Sequence, residues 1–364
     1  MQIDAQAGTQ RRQRKMAQRQ WPGLLKTVGA ALIGAAAAVL AGVPLPWFIG
    51  PLLAVAGCNL AGGRLPSLPY GRDIGQWIIG VALGLYFTPE VVRQVVRLAP
   101  WIAGALAFAV VLGLVGAWAL RRLTGEATAT CFFAMAIGGA SEMAAQAERY
   151  GGRVDRVAAA HSLRMMLVAV IVPWAMQAIG VSGSDPYVPA ARQFDAVGFV
   201  VLVAVTGGGA IVLRRLGTPN VYMLGPLLVT AVLTAGGLAW SALPATVLNA
   251  GQLLIGVALG ARFSPEFFRA APHFLLAVVL ITVGYLAATA AFGVVVALAS
   301  GLPTATAVLA TTPGGISEMA ITAKVLALGA PVVTAFHGIR MALLVVLIGP
   351  LYRVVRSLAG AKRR

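Results

Sequence analysis

Apolar residues run along this chain in long stretches that short polar segments separate. The clearest stretches cover residues 24–43, 101–120, 157–179, 196–213, 273–299 and 332–351. Each is long enough to cross a bilayer's hydrocarbon core as an α-helix, which takes about 20 residues. Hydrophobic residues make up 59% of the chain and charged residues 11%, a balance far from that of soluble domains. The pattern predicts an all-α, multi-pass membrane protein with the lipid bilayer as its first partner.

The second half of the chain repeats motifs of the first half in the same order. Gly-Pro-Leu-Leu, Gly-Val-Ala-Leu-Gly, Gly-Gly-x-Ser-Glu-Met-Ala and His-x-x-Arg-Met occur at 50–53 and 225–228, 80–84 and 256–260, 138–144 and 314–320, and 161–165 and 337–341. We therefore expect two homologous membrane repeats, residues 24–180 and 196–352, joined by a linker over 181–195. The glycine spacing in Gly-Val-Ala-Leu-Gly favours close packing between helices.

Basic residues indicate how the chain crosses the membrane. Lys and Arg cluster before the first apolar stretch and after the last, and they contribute to a formal net charge of +17. Under the positive-inside rule, this pattern predicts that both termini lie in the cytoplasm. We expect residues 1–23 to form a disordered basic tail and residues 353–364 to form a second basic tail.

The distribution of Lys and Arg also bears on the number of spans. If the Gly-Gly-x-Ser-Glu segments are re-entrant, 22 of these residues lie inside and 4 outside. If segments 74–88 and 249–263 are non-spanning instead, the split is 20 to 6, and with six full spans per repeat it is 16 to 10. An odd number of membrane spans per repeat fits the positive-inside rule better than six. We predict inverted repeats with about five spanning helices and one broken or re-entrant segment each, and the choice of segment stays open.

The two Gly-Gly-x-Ser-Glu segments are the first candidate site. Paired glycines interrupt a helix in apolar sequence, and the freed backbone groups must then be satisfied by protein or line a cavity. The half-helix that follows presents its N-terminus, which favours an anion. The predicted substrate-binding residues here are Gly138, Gly139, Ser141, Glu142, Gly314, Gly315, Ser317 and Glu318. The alternative is structural, with Ser as an N-cap and Glu stabilising the first helical turn.

The His-x-x-Arg motifs add charge to the same site. Histidine and arginine three residues apart share one helix face, and an arginine inside an apolar span needs a partner. We expect that partner to be the glutamate of the same repeat, Glu142 for Arg164 and Glu318 for Arg340. Such a pair could be structural, or the arginines could bind substrate while Glu142, His161, Glu318 and His337 couple transport to protons.

Together these motifs resemble the bacterial AbrB duplication family, with the resemblance covering residues 25–355. Members of that family are commonly labelled regulators of gene expression or putative ammonia monooxygenases. The chain is also distantly similar to the cation:proton antiporter and anion transporter folds, which use inverted repeats with broken helices. That link rests on fold-level analogy.

These labels can be weighed against the residues. No polar stretch is long enough for a DNA-reading domain, so we expect no direct nucleic-acid partner. Three histidines without a ligand cluster argue against the metal centre that ammonia oxidation would need. We expect no metal, no cofactor and no enzymatic activity. The expected function is secondary transport of a small organic anion or metabolite, with homo-oligomerisation possible. The alternative is a membrane sensor or scaffold that acts on gene expression indirectly through its basic tail, and a membrane monooxygenase is less favoured.

Overall fold

The computed structural model describes the backbone of residues 2–181, 183, 187–218, 220–269 and 271–361, and side chains from residue 21 to 357 with the same gaps. Over these ranges the chain is helical and contains no strand. The helices are α1 Gln2–Leu40, α2 Pro46–Leu60, α3 Gly71–Gly84, α4 Pro89–Arg97, α5 Ala99–Thr124, α6 Thr128–Met135, α7 Ala140–Arg149, α8 Val154–Ala178, α9 Ala196–Arg215, α10 Val221–Ala235, α11 Ala245–Gly260, α12 Pro265–Arg269, α13 Pro272–Ser300, α14 Thr304–Thr311, α15 Ile316–Val325 and α16 Ala330–Ala361.

Six of the described helices are long and apolar enough to cross a membrane. Their spans are Trp21–Leu40, Ala99–Thr124, Val154–Ala178, Ala196–Arg215, Pro272–Ser300 and Ala330–Ser357. Shorter apolar helices include α2, α10 and α11, and α3 joins α4 across a bend of 94°. The predicted all-α, multi-pass membrane class is confirmed. The backbone of residues 2–23 is the first part of α1, where the sequence analysis expected a disordered tail. The side chains of residues 1–20 lie outside the described part, so the role of this segment as a basic cytoplasmic tail stays a prediction.

Helix order is the same in the two halves of the chain, with α1–α8 followed by α9–α16 of matching character. The ends of equivalent helices also match. α5 ends at Gly125 and α13 at Gly301, each in the left-handed conformation with φ of 68° and 74°. A residue without a Cβ adopts this conformation at little cost, which explains why both helices stop at glycine.

One compact unit comprises residues 1–75 and 249–267. Here α1 packs on α2, and a Cβ on Gly34 would lie 2.6 Å from the carbonyl oxygen of Gly50. A Cβ on Gly260 would likewise lie 2.5 Å from the carbonyl oxygen of Leu52. Because only glycine allows such approach, the predicted packing role of the Gly-Val-Ala-Leu-Gly motif is confirmed for the second copy.

The second unit comprises residues 76–248 and 268–364 and holds both Gly-Gly-x-Ser-Glu segments. α5 packs on α13, α8 also packs on α13, and α16 packs on α5. α6 and α7 both contact α8, as α14 and α15 both contact α16. In the first Gly-Val-Ala-Leu-Gly motif, a Cβ on Gly80 would lie 2.6 Å from the carbonyl oxygen of Met223 in α10. Both copies of that motif therefore serve close helix packing.

Candidate functional site

Both Gly-Gly-x-Ser-Glu segments interrupt their helices, as predicted. α6 ends at Met135 and α7 begins at Ala140, which leaves residues 136–139 outside any helix; we call this the first break. α14 ends at Thr311 and α15 begins at Ile316, which leaves residues 312–315 as the second break. Each break brings the C-terminus of one short helix next to the N-terminus of another, within an otherwise apolar unit.

Glycine, rather than serine, occupies the helix cap at each break. Gly139 and Gly315 are the N-cap residues of α7 and α15, and neither helix start has a side-chain cap. Glu142 and Glu318 lie in the first turns that follow. The alternative of a serine N-cap is therefore wrong, because the glycines take the extended cap conformation and leave the N–H groups at the helix start without a capping side chain.

Arg164 lies in α8, and its guanidinium reaches the C-terminal end of α6. Its Nη2 donates to the carbonyl oxygen of Ala136 at 3.0 Å, and Nη1 lies 3.5 Å from the carbonyl oxygens of Ala134 and Met135. These carbonyls belong to the helix end, where no intrahelical N–H group is available to them. The Arg164 side chain is 3% exposed, so it acts as a buried cap on α6.

Arg340 in α16 makes the corresponding contact in the second repeat. Its Nη1 donates to the carbonyl oxygen of Thr312 and its Nη2 to that of Gly314, each at 2.9 Å. This side chain is also buried. Both arginines therefore hold the carbonyl end of a short helix against a long helix of their own repeat.

The expected ion pairs of Arg164 with Glu142 and of Arg340 with Glu318 are wrong. Both arginines donate to backbone carbonyl groups, and neither forms an ion pair with a carboxylate in the described part of the chain. The physical reason is that a helix C-terminus carries a partial negative charge and several free acceptors. That end faces the arginine, whereas the glutamate lies beyond the break.

The two histidines lie in the same positions but differ in their hydrogen bonds. His161 Nε2 lies 2.9 Å from the carbonyl oxygen of Phe133, and its Nδ1 lies 2.8 Å from Arg164 Nη2. Since a carbonyl can only accept and a guanidinium can only donate, Nε2 carries the hydrogen and the ring is neutral. Both ring nitrogens of His337 are buried without a hydrogen-bond partner among the described residues.

The carboxylates differ in the same way. Glu318 is 4% exposed and Ser317 is 3% exposed, and the serine hydroxyl donates to the carboxylate at 3.1 Å. In the first repeat Glu142 is only half-buried and Ser141 is exposed. The second break is therefore closed over its carboxylate, while the first leaves its carboxylate accessible.

Each break also touches a methionine of the other repeat, which the sequence analysis missed. A Cβ on Gly139 would lie 3.1 Å from Met341 Cε, and one on Gly315 would lie 3.5 Å from Met165 Cε. Both methionines end the repeated His-x-x-Arg-Met motif, and that repetition was the signal available. Each His-x-x-Arg-Met motif therefore contributes an arginine to the break of its own repeat and a methionine to the break of the other repeat.

Tyr285 is a second residue that the sequence analysis missed. Its hydroxyl donates to the carbonyl oxygen of Leu112 at 2.8 Å and lies 3.3 Å from that of Met135, at the end of α6. The equivalent position in the first repeat is Ala109, so comparison of the repeats carries no signal for this tyrosine.

Fold and site together define a multi-pass membrane protein with two equivalent helix breaks, each capped by a buried arginine. The family described as "Transition state regulatory protein AbrB" matches residues 47–356, and the chain belongs to that family. It is 26% identical over 350 residues to "Uncharacterized protein YhjN" of Bacillus subtilis (strain 168), covering 89% of this chain and 91% of the relative. It is 28% identical over 307 residues to "Putative regulator AbrB" of Escherichia coli (strain K12), covering 82% and 84%. The resemblance to this family is thereby confirmed.

Proposed function

We propose that this protein is a secondary transporter of the bacterial inner membrane that moves a small organic anion or metabolite. The observation that carries the proposal is the pair of helix breaks at equivalent positions of the two repeats. Each break has a helix N-terminus without a side-chain cap, a serine and a glutamate on one side, and a carbonyl end held by a buried arginine on the other. Non-helical backbone of this kind, at membrane depth, is typical of transporter binding sites.

Charge supports an anionic substrate. Arg164 and Arg340 are both buried, and their described partners are neutral carbonyl and imidazole groups. Two guanidinium charges without a bonded counter-ion among the described residues raise the local potential, and the N-termini of α7 and α15 add to it. A carboxylate or similar anion that reached the first break would meet the N-terminus of α7, with the charge of Arg164 on the other side of that break.

The lengths of the short helices support a half-crossing segment in each repeat. α6 has 8 residues and α7 has 10. At 1.5 Å per residue these helices are about 12 and 15 Å long, well short of the hydrocarbon core. The bend of 94° makes α3–α4 the alternative broken segment of the first repeat. With α6–α7 as the half-crossing segment instead, the long helices α1, α5 and α8 and the shorter apolar helices α2 and α3, of 15 and 14 residues, would supply five spans, and the second repeat would supply five in the same way. This arrangement agrees with inverted repeats and cytoplasmic termini.

The test is substrate flux in proteoliposomes that contain the full chain. Carboxylates that raise the melting temperature of the detergent-purified protein between about pH 5 and 8 are selected first. Glu142→Gln and Glu318→Gln should then abolish flux while retaining the fold, and Glu90→Gln is the matched control at an exposed position. Flux equal to that of the wild-type protein in both site variants would contradict the proposal.

A sensor that affects gene expression indirectly is the second candidate, favoured by the name "Putative regulator AbrB" of one relative. In that case the basic segment of residues 1–20 would be the contact surface for a cytoplasmic partner. Deletion of that segment should then abolish the regulatory effect, whereas a transporter should keep its flux.

A further inference from the structure

The two arginines hold equivalent helix ends in different registers. Counted from the shared Gly-Gly, Thr312 is the equivalent of Ala136, and Gly314 is the equivalent of Gly138. Both arginines donate to the first of these positions. Their second contacts diverge, because Arg164 reaches back into α6 whereas Arg340 reaches forward to the carbonyl of Gly314.

In each repeat, whether the histidine has a hydrogen bond depends on where its arginine donates. Arg164 Nη2, which bonds Ala136, is also 2.8 Å from His161 Nδ1. Both terminal nitrogens of Arg340 donate to carbonyl groups of the second break, and His337 has no hydrogen-bond partner among the described residues. The two pairs therefore differ in one contact: His161 accepts a hydrogen bond from its arginine, whereas His337 makes none with a described residue.

Access to the carboxylate changes together with these contacts. Where the arginine holds its histidine, the serine is exposed and the glutamate is half-buried. Where the arginine bonds the glycine carbonyl, Ser317 and Glu318 are only 3% and 4% exposed. The bond from Arg340 to Gly314 draws the second break toward α16, and this contact has no counterpart from Arg164 in the first break.

We propose that each histidine–arginine pair is a switch that opens or closes the break of its own repeat, and that the two repeats hold opposite states of that switch. His161 is the positioning residue of the open state, since it keeps the Arg164 guanidinium back from the glycine carbonyl. The inference rests on the proposed transport function, because alternating access requires one break to open as the other closes. During a cycle, His337 takes up Arg340 while His161 releases Arg164.

Cysteine labelling of the full chain in proteoliposomes tests the switch and needs no substrate. Ser141→Cys and Ser317→Cys are made one at a time after Cys58 and Cys131 have been replaced by alanine, and N-ethylmaleimide is the probe. Ser141→Cys should react at least about tenfold faster than Ser317→Cys, as their exposures differ. His161→Leu removes the acceptor for Arg164 and should slow Ser141→Cys about tenfold, the equivalent of one hydrogen bond to a charged group.

Two matched variants separate the switch from a general loss of structure. His161→Asn keeps an acceptor oxygen near the position of Nδ1 and should restore the labelling rate. His337→Leu removes no hydrogen bond and should leave the Ser141→Cys rate unchanged. Equal slowing by His337→Leu and His161→Leu, or no slowing by His161→Leu in folded protein, would overturn the proposal.

A second variant reads the closed state, in case His161→Leu does not fold. A lysine at position 340 has one terminal nitrogen and cannot hold the carbonyls of Thr312 and Gly314 in the fork geometry of arginine. Arg340→Lys should therefore speed the labelling of Ser317→Cys about tenfold. That change corresponds to the loss of one hydrogen bond from a charged group. An unchanged rate would count against the switch even if flux measurements support transport, while a shifted rate without flux would count against transport alone.

Discussion

The ends of α6 and α14 are equivalent in sequence position, yet different side chains support them. At α6, Tyr285 of the other repeat donates its hydroxyl to Leu112 and lies beside the carbonyl of Met135. At α14, the hydroxyl of Thr311, of the same repeat, lies 3.0 Å from the carbonyl oxygens of both Thr289 in α13 and Ala307 in its own helix, and it can donate to either. The motif that lines each break was retained in both copies while its support was replaced. Support can therefore diverge as long as the helix end stays in place.

A second contrast lies where α6 and α8 begin. Glu126 is 3.5 Å from Arg156 Nε and 3.9 Å from Arg153 Nη1, and Arg153 also pairs with Asp155 at 2.9 Å. The equivalent positions near the starts of α14 and α16 are all uncharged: Leu302, Gly329, Pro331 and Val332. Charge at one of these ends and its absence at the other agrees with ends that face different sides of a membrane.

Removal of the arginine caps should have the largest effect. Arg164→Ala and Arg340→Ala each leave buried carbonyl groups unsatisfied, and a loss of about 3 kcal/mol or more in the free energy of unfolding is expected. Arg164→Ala should cost more, because it also removes the bond to His161. Unfolding of the detergent-solubilised protein by SDS measures both values. A greater loss for Arg340→Ala would reverse the comparison.

Alanine at the helix caps should separate the two breaks. A Cβ on Gly139 would meet the carboxylate of Glu142, and one on Gly315 would meet that of Glu318. Glu142 is half-buried and can move aside, whereas Glu318 is buried and cannot. We expect Gly315→Ala to cost about 2 kcal/mol of stability and Gly139→Ala less than about 1. Equal costs in the same SDS titration would mean that the two breaks are equally open.

Loss of the supporting hydroxyls should be milder. Tyr285→Phe and Thr311→Val each remove one side-chain hydrogen bond at a helix end, and each should cost about 1 kcal/mol. Because the two residues share no partner, their effects should add in the double variant. Thermal unfolding of the two single variants and the double variant tests this. A deviation from additivity of more than about 0.5 kcal/mol would show that the two hydroxyls are coupled through Thr289, whose hydroxyl donates to the carbonyl oxygen of Tyr285 and whose own carbonyl oxygen lies 3.0 Å from the Thr311 hydroxyl.

The charged cluster at the start of α8 should matter least. Arg153 is 53% exposed, and pairs of this kind contribute about 1 kcal/mol or less. Glu126→Gln should therefore lower stability by at most about 1 kcal/mol, and high salt should reduce the difference. Measurement at low and high ionic strength checks this, and a salt-independent loss would point to packing rather than charge.

The spans and both breaks were predictable because they depend on local sequence. Long apolar stretches and paired glycines inside them carry that information in each copy. The partners of Arg164 and Arg340 were not predictable, because every residue carries a backbone carbonyl and the sequence does not mark which one will accept a hydrogen bond. The repeated glutamates offered a simpler pairing. The difference in exposure between Glu142 and Glu318 was also hidden, because their motifs are nearly identical and the cause lies in helix packing.

The contact of Tyr285 with Gly116 bears on how the two halves depend on each other. A Cβ on Gly116 would overlap the tyrosine hydroxyl, while the equivalent of Gly116 is Phe292, whose ring stacks on Phe108 at 4.2 Å. A half-length protein made from the first repeat and paired with itself would set Ala109 against Gly116 and leave a gap. One made from the second would force Tyr285 against Phe292. Neither half alone could therefore reproduce, with a second copy of itself, the packing of Tyr285 on Gly116.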